Sequence, residues 1–267
     1  MPTSVSFAQH GEGIGNAGAV IRANAVSAGL DSPVPPCPGW TVRDLVLHVG
    51  LAHRWAVAIL HGTPREQWPT EESVRAEGQA SGDVLDWFDD GMAHLLHVLA
   101  SSPEDLQAFF FLKDAPRPRE AWARRQCHET TIHAVDAMAA RLGRLPSAAQ
   151  TWLSPELSAD GIDELLMGFV PRKSGQLRTE AGEDPLTLLV LATDIDRAWT
   201  LRLSAEPVVT TTGTRGQEEA HGIPDVVWEG TATGLYLGLW NRGEEFTETG
   251  RASLIDAWRR DQKIEWS

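Results

Sequence analysis

Cysteine is scarce in this 267-residue sequence: Cys37 and Cys127 are the only two. Two thiols cannot build a disulfide scaffold or a four-thiolate zinc site, so both are expected to stay reduced. Positive charge is also short, with 23 Lys and Arg against 37 Asp and Glu, a formal net charge of -14. Such a surface repels phosphate backbones and anionic bilayers, which excludes general nucleic-acid or membrane-surface binding as the main role. No apolar run approaches the roughly 20 residues that cross a bilayer, and the opening segment lacks the basic and apolar regions of a secretory signal, so a cytoplasmic location is expected. No Gly-x-Gly-x-x-Gly follows a strand, and a P-loop and a Gly-x-Ser-x-Gly elbow are missing, leaving dinucleotide, nucleoside-triphosphate and serine-hydrolase chemistry without a foothold. What is present, 42% apolar and 22% charged residues without repeats, is an ordered globular chain whose partner is a small molecule.

Hydrophobic periodicity divides the sequence into a helix-rich part, 1–150, and a strand-containing part, 151–267. Helical spacing covers 8–30, 41–60, 71–100 and 119–142, and four amphipathic helices suggest a bundle. The proline-rich stretch from Pro33 to Gly39 separates the first two, because prolines fix φ and remove backbone donors. Thr41 restarts the helix as its cap, with Asp44 three residues on. Beyond a helix at 158–170, short runs of β-formers at 186–191, 198–203, 207–212 and 225–229 read as strands, followed by a flexible loop overlapping them at 211–222 and helical spacing at 231–240 and 252–261. The fold class is therefore α+β in two domains, a four-helix bundle followed by a small α+β unit.

Glu129 and His133 stand four apart, which puts both on one face of a helix. His48 lies three after Leu45 and four before Ala52, on the stripe that faces the bundle interior. Two imidazoles and a carboxylate are a common ligand set for catalytic zinc, leaving a fourth tetrahedral position for water or substrate. The same spacing also suits a plain Glu–His pair worth a few tenths of a kcal/mol, and an inward histidine is often only a hydrogen-bonded core residue. Asp136, three after His133, either accepts that ring's other N–H or is a solvated carboxylate. His53 points about 140° away from His48, His128 about 100° from Glu129, and His94 and His97 sit on a separate helix, so none is placed among the ligands. The two cysteines read as buried hydrophobes and the eleven tryptophans as core packing.

Several segments resemble one known family. Pro36-Cys37-Pro38-Gly39-Trp40-Thr41-Val42-Arg43-Asp44-Leu45-Val46-Leu47-His48-Val49-Gly50 is similar to the amino-terminal signature of the mycothiol-dependent maleylpyruvate isomerase family, and His128-Glu129-Thr130-Thr131-Ile132-His133-Ala134-Val135-Asp136-Ala137 to its second metal-ligand segment. The run from Ala159 to Leu166, Thr193-Asp194, Trp199, and Gly230 through Leu235 to Leu239-Trp240-Asn241-Arg242 resemble later segments. The resemblance implies a DinB-like bundle, a sterol-carrier-like carboxy-terminal domain, zinc on His48, Glu129 and His133, and a role in activity for Arg242, which otherwise only complements a helix end. It further implies that mycothiol, bound at the metal as thiolate, adds to the cis double bond of maleylpyruvate and leaves again as the trans isomer forms, with Arg242 clamping a substrate carboxylate or stabilising the enolate. The partners are then an electrophilic small molecule and a low-molecular-weight thiol. The same ligand set would serve a mycothiol S-transferase, in which the thiol stays attached to the electrophile. Two other classes remain: a non-catalytic carrier of an apolar ligand, and a hydrolase using metal-bound water with Asp136 as base.

Overall fold

The computed structural model describes residues 3–172, 178–179, 183–215 and 223–262. The chain forms two compact units, one made of Val5–Phe111 and Ala115–Pro146, the other of Met1–Ser4, Leu112–Asp114 and Ser147–Ser267.

The first unit is helical: α1 (Phe7–Ala28), α2 (Val42–Leu60), α3 (Glu71–Ala80), α4 (Val84–Ser101) and α5 (Pro118–Leu142). Local chemistry sets the starts. Ser6 caps α1 and Thr41 caps α2, each in a reciprocal box with the residue three positions on, and Pro118 opens α5 where its missing N–H costs nothing. The single helix expected over 71–100 is two. Gly82, with φ of 82°, turns the chain, and the Asp83 carboxylate accepts from the Leu85 and Asp86 amides to start a new helix. The break folds α3 back onto α2, where a Cβ at Gly78 would collide with Leu47. A long bundle remains, with α1, α2 and α4 packed on α5. Ile14, Ile21, Leu45, Phe88 and Leu95 form its interior. Helix α5 is buried without interruption from Ala121 to Ala139, including Arg124, Arg125, Gln126, His128, Glu129, His133 and Asp136. Burying polar groups is destabilising unless they are paired, and the helix pairs several of them: Arg125 with Glu129, Thr130 with His53, and Asp136 with His133.

The second unit holds α6 (Pro155–Asp163), a π-helical turn (Glu164–Phe169), β1 (Leu186–Ala192), β2 (Ala198–Leu203), β3 (Val209–Gly213), β4 (Val226–Gly230), α7 (Ala232–Leu239), β5 (Phe246–Gly250) and α8 (Ile255–Asp261). The sheet order is β3-β2-β1-β4-β5, antiparallel except for the β1–β4 pair. This is the α+β class expected. The helix expected over 158–170 instead changes to π-helical spacing after Asp163. Strand β5 was not expected, because an edge strand with the sequence Phe-Thr-Glu-Thr-Gly carries no apolar alternation. Of the loop expected at 211–222, residues 211–213 belong to β3 and 216–222 lie outside the described residues. Asp163 accepts from the Trp199 indole at 2.7 Å and from Arg197 at 2.6 Å, tying α6 to the sheet.

Candidate metal centre

Helix α2 carries His48 and α5 carries Glu129 and His133. The structure brings the three together: His48 Nε2 lies 3.2 Å and His133 Nε2 3.3 Å from the same oxygen, Glu129 Oε1. All three donor atoms fall within 4.8 Å of one another. Donors about 2.0–2.1 Å from a tetrahedral zinc are separated by roughly 3.3 Å. Both spacings to Glu129 Oε1 match that edge, so the donor set fits the metal in chemistry and in size.

The surroundings orient each of these candidate donors. Glu129 Oε2 accepts from Arg125 Nη2 at 2.9 Å, four residues earlier on the same helix, which leaves Oε1 for the imidazoles. Burial opposes ionisation of Glu129, but hydrogen bonds with His133 and His48 and the nearby Arg125 charge hold its carboxyl well below the usual carboxylate range. His133 Nδ1 lies 3.0 Å from Asp136 Oδ2, and Asp136 is fully buried, so the solvated alternative is excluded. With Nδ1–H donated to Asp136, Nε2 is the nitrogen that faces Glu129 Oε1, as a donor when protonated and as a candidate metal donor when it is not. Without a metal the same ring is a strong proton acceptor: burial lowers its pKa, yet the hydrogen bonds with Asp136 and Glu129 outweigh this and raise it to about 9.

Two further residues belong to this group. Cys37 Sγ donates to Asp136 Oδ2 at 3.4 Å, so the half-buried Cys37 is a neighbour of the site rather than the buried hydrophobe expected. Trp40 packs its ring 4.8 Å from that of His48 and stacks, tilted by 18°, at 6.1 Å from that of His133. Its place directly before the Thr41 cap was the available signal, since the cap fixes how the residue before it enters the helix. Arg125 had a signal too, the i,i+4 spacing to Glu129.

A recess of about 220 Å³ opens beside His48, lined by Trp40, Asp44, Leu47, Leu51, Glu71 and Arg75 among others. Asp44 joins two elements here. Its Oδ2 accepts from the Thr41 amide and hydroxyl, and its Oδ1 from Arg75 Nη1 at 2.8 Å. The Thr41 and Arg75 hydrogen bonds outweigh desolvation and lower its pKa to about 2.

The remaining histidines lie elsewhere. His94 and His97 are exposed on α4, and His128 is buried on α5. His53 is fully buried, with Nε2 2.9 Å from Thr130 Oγ1. The Thr130 hydroxyl gives its proton to the Gln126 carbonyl at 2.7 Å, so His53 is the donor and its Nδ1 is left without a partner. Burial and the Arg54 charge lower the pKa of His53 to about 3. Because the unfolded chain takes up that proton first, stability is full above pH 6.5 and falls by up to about 1.4 kcal/mol per pH unit until about pH 3. Urea midpoints from pH 7 to pH 4 are expected to fall less steeply in His53→Gln than in the wild type; equal slopes would contradict the assignment.

Arg242, expected at the active site, lies in the second unit in the last turn region of α7. Its amide donates to the Leu237 carbonyl while the preceding Asn241, at φ of 58°, donates to Gly238, a Schellman closure. Its Nη1 donates to the Trp240 carbonyl at 2.9 Å, so the guanidinium helps to satisfy the end of that helix.

Comparison with known proteins places this geometry. The sequence profile of the mycothiol maleylpyruvate isomerase N-terminal domain matches residues 14–138, and that of the C-terminal domain matches 156–253. Among solved structures, mycothiol-dependent maleylpyruvate isomerase is similar with a TM-score of 0.61 at 15% identity, covering 93% of this chain and 96% of that one. A histidine-to-alanine mutant of a mycothiol-dependent maleylpyruvate isomerase gives 0.59 at 16% identity with the same coverage. At this identity the likeness shows a shared fold. A search of the curated proteins gives no match. With one profile on each of its two parts and the same fold across nearly its whole length, the chain belongs to the mycothiol maleylpyruvate isomerase family.

Proposed function

We propose that the chain is a zinc-dependent, mycothiol-using isomerase that converts maleylpyruvate, or a closely related cis-unsaturated keto acid, into its trans isomer. The observation that carries this reading is the meeting of His48, Glu129 and His133 at tetrahedral-edge spacing in a member of this family. When bound, zinc would supply a positive charge and an open position that lower the pKa of a thiol toward neutrality, so that it could serve as the nucleophile.

The residues of the chain do the rest. His48, Glu129 and His133 would hold the ion. Asp136 keeps the His133 proton on Nδ1, so that Nε2 stays a ligand. Arg125 fixes the Glu129 carboxylate so that a single oxygen faces the imidazoles. The Trp40 ring packs against both imidazoles and covers part of their surface, which strengthens the charge interactions on that side. Arg242 is proposed to bind a substrate carboxylate, on the strength of the family motif Leu239-Trp240-Asn241-Arg242.

Purified protein is expected to contain about one zinc per chain and to isomerise maleylpyruvate, followed by absorbance, only when mycothiol is added. Conversion that ignores the thiol would overturn the reading in favour of a water nucleophile. A stable thioether product in mass spectra would replace isomerisation by S-transfer, and a metal-free wild type would leave a carrier. Arg242→Ala is expected to raise KM for the keto acid and leave the zinc content unchanged.

A further inference from the structure

We propose that the recess beside His48 binds a neutral, polyhydroxylated ring: the sugar portion of the thiol, held by Glu71 and Arg75 against Trp40. This rests on the reading that the chain uses mycothiol, a cysteine derivative carried on a glucosamine–inositol pair.

The argument starts from charge. Two carboxylates, Asp44 and Glu71, face the recess with one guanidinium, Arg75. An anionic keto acid meets net negative charge there, whereas a hydroxylated ring brings donors to acceptors without bringing a charge of its own. Asp44 is fully occupied by Thr41 and Arg75, so its part is to fix the guanidinium. Glu71 is not occupied in this way. Its Oε1 lies 3.6 Å from Arg75 Nη2, too long for a hydrogen bond. A hydroxyl placed at that gap can donate to the carboxylate and accept from the guanidinium at once, and adjacent hydroxyls on a ring can use both groups.

Shape agrees with charge. The Trp40 ring gives an apolar face for the C–H side of a saturated ring, and Leu47 and Leu51 add apolar wall. The recess, at about 220 Å³, is below the range of roughly 300–1,000 Å³ for drug-sized ligands, so it takes one ring rather than a whole thiol cofactor. His48 forms part of the same wall, so a ring seated there puts the rest of the molecule beside the ligand set.

In the full-length protein, Glu71→Gln and Arg75→Gln are expected to raise KM for mycothiol about tenfold, the usual cost of a lost hydrogen bond to a charged group. KM for N-acetylcysteine, which offers a thiol without a ring, is expected to move less than about twofold. An equal rise for both thiols, or no rise for mycothiol, overturns the proposal. If the wild type turns over with neither thiol, the functional reading fails and the recess is tested alone by saturation-transfer NMR with N-acetylglucosaminyl-inositol. Binding to the wild type that is lost in both variants supports the site, and absence of binding to the wild type overturns it.

Discussion

His48→Ala is expected to lower zinc content to a small fraction of the wild-type value and thiol-dependent turnover by about a thousandfold or more, because three protein ligands are the minimum that holds catalytic zinc with a vacancy. His48 is the only one of the three on α2. Without it, Glu129 and His133 remain as a two-point site on one helix. The variant should fold normally, since the His48 side chain is 24% exposed and its removal strands no buried charge. Glu129→Gln is expected to differ in that respect. It loses the metal too, but it also leaves the fully buried Arg125 guanidinium opposite a neutral amide. Breaking a buried pair from one side typically costs about 3–5 kcal/mol. Zinc by elemental analysis, turnover, and thermal midpoints with and without a chelator separate the two variants. A His48→Ala protein that keeps its zinc and its turnover would sink the metal centre.

How far the sequence alone reached depends on whether the deciding interaction is local. The Thr41–Asp44 box spans three residues and the Glu129–His133 pair four, so cap chemistry and helix period suffice to read them. His48 needed only the apolar stripe of its own helix. The break between α3 and α4 was written in Ser81-Gly82-Asp83, but the apolar period runs through both helices and hides it. That one turn brings Glu71 and Arg75 back to the start of α2, so the recess they form with Asp44 was not legible either. Asp136 stayed undecided because α5, polar in composition, is buried on every side, and no periodicity announces that. The Cys37–Asp136 contact joins residues 99 positions apart, and only the tertiary fold creates it.

Asp136→Asn is expected to weaken zinc binding by about 10- to 100-fold, the range found when a carboxylate behind a metal-bound histidine is removed. The physical reason is the tautomer. Asp136 Oδ2 accepts from His133 Nδ1–H, and a carboxylate can do nothing but accept. An asparagine there can turn its NH₂ toward the ring instead, which stabilises the tautomer with the proton on Nε2 and removes the lone pair from the ligand set. The Cys37 S–H shares the same oxygen, so Cys37→Ala is expected to have a smaller effect of about two- to threefold, through the freedom it gives the Asp136 carboxylate. Competition against a chromophoric chelator at fixed pH gives the apparent Kd of each variant, and unfolding of the metal-free proteins gives their stability. A purely structural Asp136 would lower the stability of the metal-free protein while folded Asp136→Asn bound zinc as the wild type does. A positioning Asp136 changes Kd in protein that is still fully folded.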